Sequence, residues 1–180
     1  MNGAMRLARR LDDAGDRWCE HLRRRRATRL VFGAASAVGD FSLVWHVTGL
    51  LRAIGSSQRL REALVLSLAL GVESLVVNQG IKKMFRRTRP TTSGDDRFAV
   101  RTPSTSSFPS GHASSAAFAA VLLTSFSGFA LLPLWCAIAA VVALSRTVVR
   151  IHHLTDIVAG LMTGAVLGAL ALPLVTSFVS

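Results

Sequence analysis

Residues 113–145 read ASSAAFAAVLLTSFSGFALLPLWCAIAAVVALS, 33 consecutive positions without Asp, Glu, Lys, Arg or His. About 18 or more such residues suffice for a helix to cross a bilayer. This run is too long for one crossing and breaks near Ser127, Gly128 and Pro133, so it divides into helices at about 110–127 and 131–150. A second uncharged run of 24 residues, Ile157 to Ser180, predicts a further span at about 155–178. There, Gly160, Gly164 and Gly168 form a ladder of small residues against which another helix can pack closely. Upstream, apolar stretches at about Leu30–Leu51 and Leu60–Gly80 predict two more spans. The alternating polarity of β-barrel strands is absent. The expected fold is all-α: a polytopic membrane bundle of about five transmembrane helices, preceded by an amphipathic helix.

Composition agrees. The 180 residues are 51% hydrophobic and 17% charged, below the roughly 25% charge of soluble domains. This excludes intrinsic disorder and argues against an ordinary cytosolic enzyme. The net charge of +11 is concentrated beside apolar runs. With no recognition motif beside it, nucleic acid is disfavoured as a partner and anionic lipid or phosphorylated substrate is favoured. Residues 1–29 form a basic segment in which Leu7, Leu11, Ala14, Trp18 and Leu22 recur at helical spacing. That pattern predicts an amphipathic helix lying on anionic headgroups. No short apolar core with a small-residue cleavage site follows, so a signal peptide is disfavoured. Cys19 and Cys136 lack the spacing of a zinc site or a disulfide framework.

Three polar clusters lie at span ends: Lys82–Pro90, Phe108–His112, and Ser145-Arg146 followed by His152 and Asp156. The second span ends at the first cluster and the third span starts at the second. The chain then crosses, turns near Pro133 and returns to the third. Connectivity therefore puts all three on one membrane face. Lys82, Arg89 and Arg146 would supply fixed positive charge suited to phosphate oxygens. Ser110 and Gly111 open a helix whose free N–H groups face an anion. His152 and Asp156 stand one helical turn apart, so the carboxylate can fix the imidazole tautomer. With His112 as a second histidine and no carboxylate group suited to magnesium, the set resembles a metal-independent apparatus for attack on phosphorus.

Lys82-x6-Arg89-Pro90, Pro109-Ser110-Gly111-His112 and Ser145-Arg146-x5-His152-x3-Asp156 are similar to the three signature motifs of the type 2 phosphatidic acid phosphatase (PAP2) family, in order and with internal spacing intact. The resemblance implies a membrane phosphatase domain over 30–180. It implies that His152 is the nucleophile that becomes phosphohistidine and that Asp156 orients it. It implies that His112 protonates the leaving alcohol and then activates water. Lys82, Arg89, Ser110, the Gly111 amide and Arg146 are implied as the phosphate cradle, with no metal and no cofactor. The implied substrate is a lipid phosphate monoester or diphosphate: phosphatidic acid, phosphatidylglycerol phosphate, a polyprenyl phosphate, or decaprenylphosphoryl-5-phosphoribose.

Other polar residues have plainer readings. His21 and His153 read as interfacial residues, and Arg86 and Arg87 as headgroup contacts or substrate-binding helpers. Asp40 and His46 in the first span, and Glu73, Asn78 and Gln79 in the second, read as buried hydrogen bonding between those two helices. A proton or ion path is the alternative. It would make the chain a transporter in which Asp40, His46 and Glu73 matter more than His152; a catalytically silent scaffold is the third class. Of the 21 Lys and Arg residues, 18 fall on the side of the three clusters, counting Arg101. The positive-inside rule then predicts a cell-membrane protein whose N-terminus and active site face the cytoplasm.

Overall fold

The computed structural model describes residues 3–91, 95–98 and 105–179, so Arg101 lies outside the described residues. Regular structure among them is entirely helical: α1 (Gly3–Arg23), α2 (Arg26–Gly39), α3 (Leu43–Ala53), α4 (Ser57–Leu75), α5 (Gly111–Ser127), α6 (Leu132–Val148) and α7 (Leu154–Val179). Three stretches are long and apolar enough to cross a membrane: 26–53, Phe129–Val148 and Leu154–Val179. By the same measure α4, which carries Arg59, Arg61, Glu62 and Glu73, and α5, with 17 residues, do not qualify. Among the described residues, length and composition alone thus qualify three of the five expected spans.

Among the described glycines, the α7 ladder meets its neighbours most closely. A Cβ on Gly164 would lie 1.9 Å from the Ser114 carbonyl oxygen, and one on Gly160 would lie 2.5 Å from that of Ser110. Helix α7 therefore presses its backbone against α5 as no larger residue would permit. Its opposite face carries Val158, Met162, Val166, Leu170, Leu174 and Phe178 at four-residue spacing, all exposed. That stripe suits acyl chains rather than water. Inside the bundle, Trp45, Leu66, Leu70, Leu122, Leu123 and Trp135 form the core. At the end remote from the polar clusters, Gln58 donates to the Val179 carbonyl, so α4 and α7 run antiparallel.

The first span is not the single helix expected over Leu30–Leu51. It breaks after Gly39, and Phe41 and Ser42 take φ values of 54° and 59° before α3 begins. The left-handed region is unfavourable for side chains with a Cβ, so tertiary contacts hold this kink. The second expected span ends as α4 gives way to a π-helical turn at Val76–Gly80 and a 3-10 turn at Ile81–Met84.

Helix α1 exposes the apolar side predicted to meet lipid, with Leu7, Leu11 and Trp18 outward, and docks through its polar side. Arg23 is fully enclosed; its Nε donates to the Val148 carbonyl at 2.7 Å and its Nη2 to that of Thr147 at 2.9 Å. Asp12 Oδ1 accepts from Thr155 N at 2.9 Å and from Thr155 Oγ1 at 2.8 Å. The α6–α7 turn is thus gripped on both sides: one α1 residue caps the end of α6, another the start of α7.

Replacing Gly164 with Ala is expected to lower stability by roughly 1–3 kcal/mol or more through backbone overpacking. Gly71, exposed on α4 with nothing within 4 Å of its would-be Cβ, is the control. Gly71→Ala should be neutral or stabilise by up to ~1 kcal/mol. Thermal unfolding in detergent measures both, and equal behaviour of the two would contradict the packing assignment.

Candidate active site

The ends of α4, α5, α6 and α7 surround a cavity of about 360 Å³ whose lining includes Lys82, Gly111, His112, Arg146 and His152. The three polar clusters therefore do meet at one end of the bundle. The remaining expected residues stand around this group. Ser110 is fully buried as the N-cap of α5, its Oγ accepting from Ala113 N at 3.4 Å. Arg89 places Nη1 3.3 Å from His152 Nε2 while donating to the Ile151 carbonyl at 3.1 Å. Asp156 lies behind His152, its Oδ2 3.5 Å from Nδ1. Gly111 packs close to the cations: a Cβ there would lie 3.0 Å from Asn78 Oδ1 and 3.5 Å from Lys82 Nζ.

Local structure explains how His152 is held. The turn after α6 folds back so that the backbone N–H groups of Ile151 and His152 both donate to the Arg146 carbonyl, at 3.0 and 3.1 Å. Arg150 takes a positive φ of 59° to make that reversal. Asp156 is fixed in turn by the His153 N–H at 2.9 Å, by the Ser107 hydroxyl and by Arg87. With Nδ1 facing the carboxylate, Nε2 is the ring nitrogen turned toward the cations.

Arg146 is 1% exposed and commits Nη1 to the Ser36 hydroxyl. Its Nε and Nη2 are buried with no hydrogen-bond partner. An enclosed guanidinium with spare donors is costly to leave uncompensated, so the site is built for an anion. Lys82 is buried beside it, and burial, with Arg89 and Arg146 adding repulsion, pushes its ammonium down to about 8. Burial also outweighs the Asp156 carboxylate at His152 and drives that imidazole down to about 3. His152 is therefore neutral near pH 7, the form able to act as a nucleophile.

Several roles differ from expectation. Arg87 faces inward rather than toward headgroups, bridging Asp156, Thr155 and Asp12. His46 makes the expected link between the first two spans, through Ser67 Oγ at 2.9 Å. Glu73 accepts from Ser114 on α5. Asp40 Oδ1 lies 3.1 Å from His112 Nε2. Sequence reasoning missed Asp40, Ser36 and Ser107 as neighbours of the site. Only Asp40 carried a usable signal, as an ionisable group inside an apolar run. Among the described residues no group of three or more His, Cys, Asp or Glu side chains could hold a metal ion.

Residues 62–179 match the model of the PAP2 superfamily. The chain belongs to that superfamily. It is accordingly a phosphatase of the membrane lipid-phosphatase type, and the match spans all eight expected site residues. The decaprenylphosphoryl-5-phosphoribose phosphatase of Mycobacterium tuberculosis is 36% identical over 135 residues, covering 75% of this chain and 73% of that one. The protein of the same name from Mycolicibacterium smegmatis is 35% identical over 130 residues, covering 71% and 68%. The fold is similar to that of the transmembrane PAP2-type phosphatidylglycerolphosphate phosphatase of Bacillus subtilis, with a TM-score of 0.69 at 23% identity over 98% of this chain and 88% of that one. Aquifex aeolicus LpxE gives a TM-score of 0.67 at 21% identity, covering 94% of each chain. This PAP2 chain carries α1, α2 and α3 ahead of the matched region, and the end of α2 brings Asp40 to the cavity and Ser36 against Arg146.

Lys82 sets a pH dependence. Its proton is held below about 8 and lost above it, so anion binding should weaken as pH rises through that value. Inhibition by inorganic phosphate is expected to weaken roughly tenfold per pH unit beyond it, until the lysine's share is gone. Lys82→Arg should abolish this limb. A phosphate inhibition constant that stays flat between pH 8 and 10 in the unmodified protein would contradict the assignment.

Proposed function

We propose that this chain removes a phosphate from a lipid phosphate monoester or diphosphate by passing the phosphoryl group through His152, without a metal. The observation that carries this reading is the set of three cations, Lys82, Arg89 and Arg146, gathered around the neutral imidazole of His152, with two Arg146 nitrogens lacking protein partners. His152 Nε2 attacks phosphorus while the cations and the Gly111 amide grip the equatorial oxygens and the charge growing on them. Asp156 steadies the Nδ1 side of the ring. His112 gives a proton to the departing alcohol, then takes one from the water that cleaves the phosphohistidine and releases inorganic phosphate.

The substrate is a lipid whose phosphate sits at headgroup height. The two mycobacterial relatives favour the decaprenylphosphoryl-5-phosphoribose class over phosphatidic acid or phosphatidylglycerol phosphate. The excess of Lys and Arg beside the site supports a cytoplasm-facing active site in the cell membrane, with α4 and α5 completing a five-span bundle. The exposed apolar side of α1, together with its flanking arginines, supports contact with anionic headgroups. Transport is the weaker reading, because Asp40, His46 and Glu73 are each engaged by His112, Ser67 or Ser114.

Phosphate release by detergent-purified protein, assayed with a panel of lipid phosphates, tests the proposal. His152→Ala should lose at least ~10³-fold in kcat and His112→Ala about 10²–10⁴-fold. EDTA should have no effect. Rapid quenching with labelled substrate should trap an alkali-stable, acid-labile label on the unmodified protein and none on His152→Ala. Turnover surviving in His152→Ala, or lost with EDTA, would sink this mechanism.

A further inference from the structure

We propose that Asp40, with the last turn of α2, belongs to the catalytic apparatus as the positioning residue of His112. The inference rests on the acid–base role given to His112 above. His112 Nε2 faces two acceptors, Asp40 Oδ1 at 3.1 Å and the Ser36 carbonyl at 3.3 Å. Neither a carboxylate nor a carbonyl can donate, so Nε2 carries a hydrogen in every protonation state. The proton that moves during turnover is therefore the one on Nδ1. When Nδ1 is protonated it serves the leaving alkoxide; once it has given up that proton, its lone pair takes one from water. Asp40 fixes the tautomer and stabilises the imidazolium. The two histidines are thus held by opposite nitrogens: His152 has Nδ1 against Asp156, and His112 has Nε2 against Asp40.

The backbone is shaped around this contact. A Cβ on Gly39 would lie 2.6 Å from His112 Cδ2, so only glycine lets α2 come this close. The next residues break the helix through two consecutive positive φ values, at Phe41 and Ser42, although Phe41 is 80% exposed. A kink of that kind needs contacts that outweigh it. Asp40 on His112 supplies one, and the Ser36 hydroxyl on Arg146 supplies another from the preceding turn. One turn of α2 thus holds both the acid–base group and a phosphate-binding cation, and it lies ahead of the matched residues 62–179.

Two leaving groups separate positioning from scaffolding. With a lipid alkyl phosphate, whose alkoxide must be protonated, Asp40→Asn should lower kcat by roughly 10²-fold and leave KM little changed. With p-nitrophenyl phosphate, whose phenolate departs without a proton, the single-turnover rate of phosphoenzyme formation should fall only a few-fold. Asp40→Glu should recover part of the loss. Gly39→Ala, which keeps the carboxylate but crowds the ring, should reproduce the leaving-group-dependent defect. Equal losses on both substrates, or a kcat within twofold of the unmodified protein, would overturn the proposal. A readout independent of turnover is the ¹⁵N spectrum of histidine-labelled protein, in which neutral His112 should be the Nε2–H tautomer. A Nδ1–H tautomer overturns the pairing whether or not phosphate is released. Turnover persisting in His152→Ala overturns the reaction scheme alone, and the tautomer then decides the pair by itself.

Discussion

Three cations gather at the meeting point of four helix ends, Lys82 and Arg146 buried and Arg89 partly so. Removing a guanidinium from water costs several kcal/mol unless hydrogen bonds and opposite charge replace its hydration. Arg146 obtains one such bond, from Ser36, and keeps two nitrogens without a protein partner. Lys82 and Arg89 add like charge nearby, while Asp156, Asp40 and Glu73 return only part of the balance. Uncompensated positive charge of that kind favours an anion at the site, which is the basis of the proposed phosphate chemistry.

Keeping such a cluster together demands a rigid frame. The glycine ladder of α7 lets α5 approach until backbone touches backbone, which brings Ser110, Gly111 and His112 over the start of α7 and so beside Asp156. Ser110 N donates to the Asp156 carbonyl at 3.0 Å, tying the second cluster directly to the third. From outside, α1 closes the frame through Arg23 on the last carbonyls of α6 and Asp12 on the first turn of α7. An amphipathic helix whose apolar side is exposed thus has its polar side committed to the turn that carries His152. Arg87 completes the arrangement by joining Asp12 to Asp156, so the carboxylate behind the imidazole is wired to the N-terminal helix.

Much of this was legible from the chain alone because the signals are local. Uncharged runs reveal helices that need lipid, glycines four apart reveal a close helix contact, and residues at span ends can be sorted by face from connectivity. The convergence of Lys82, Gly111, His112, Arg146 and His152 on one cavity follows from those rules. The number of crossings was less legible, because α4 carries four charged residues and α5 is short. The break in the first span was also hidden. No proline announces it, and the contacts that hold it open come from α5 and α6.

The sequence by itself determined which segments are helical, which ends they share and which side chains are candidates for phosphate chemistry, since periodicity, charge and motif spacing act within one segment. Only the tertiary structure decided the partners of those side chains: Asp40 on His112, Ser36 on Arg146, Ser107 and Arg87 on Asp156, and Asp12 on Thr155. Each of these pairs joins residues 49 to 143 positions apart. At such separations no local pattern records a contact, because it depends on how closely the packed helices approach and which way each side chain then turns.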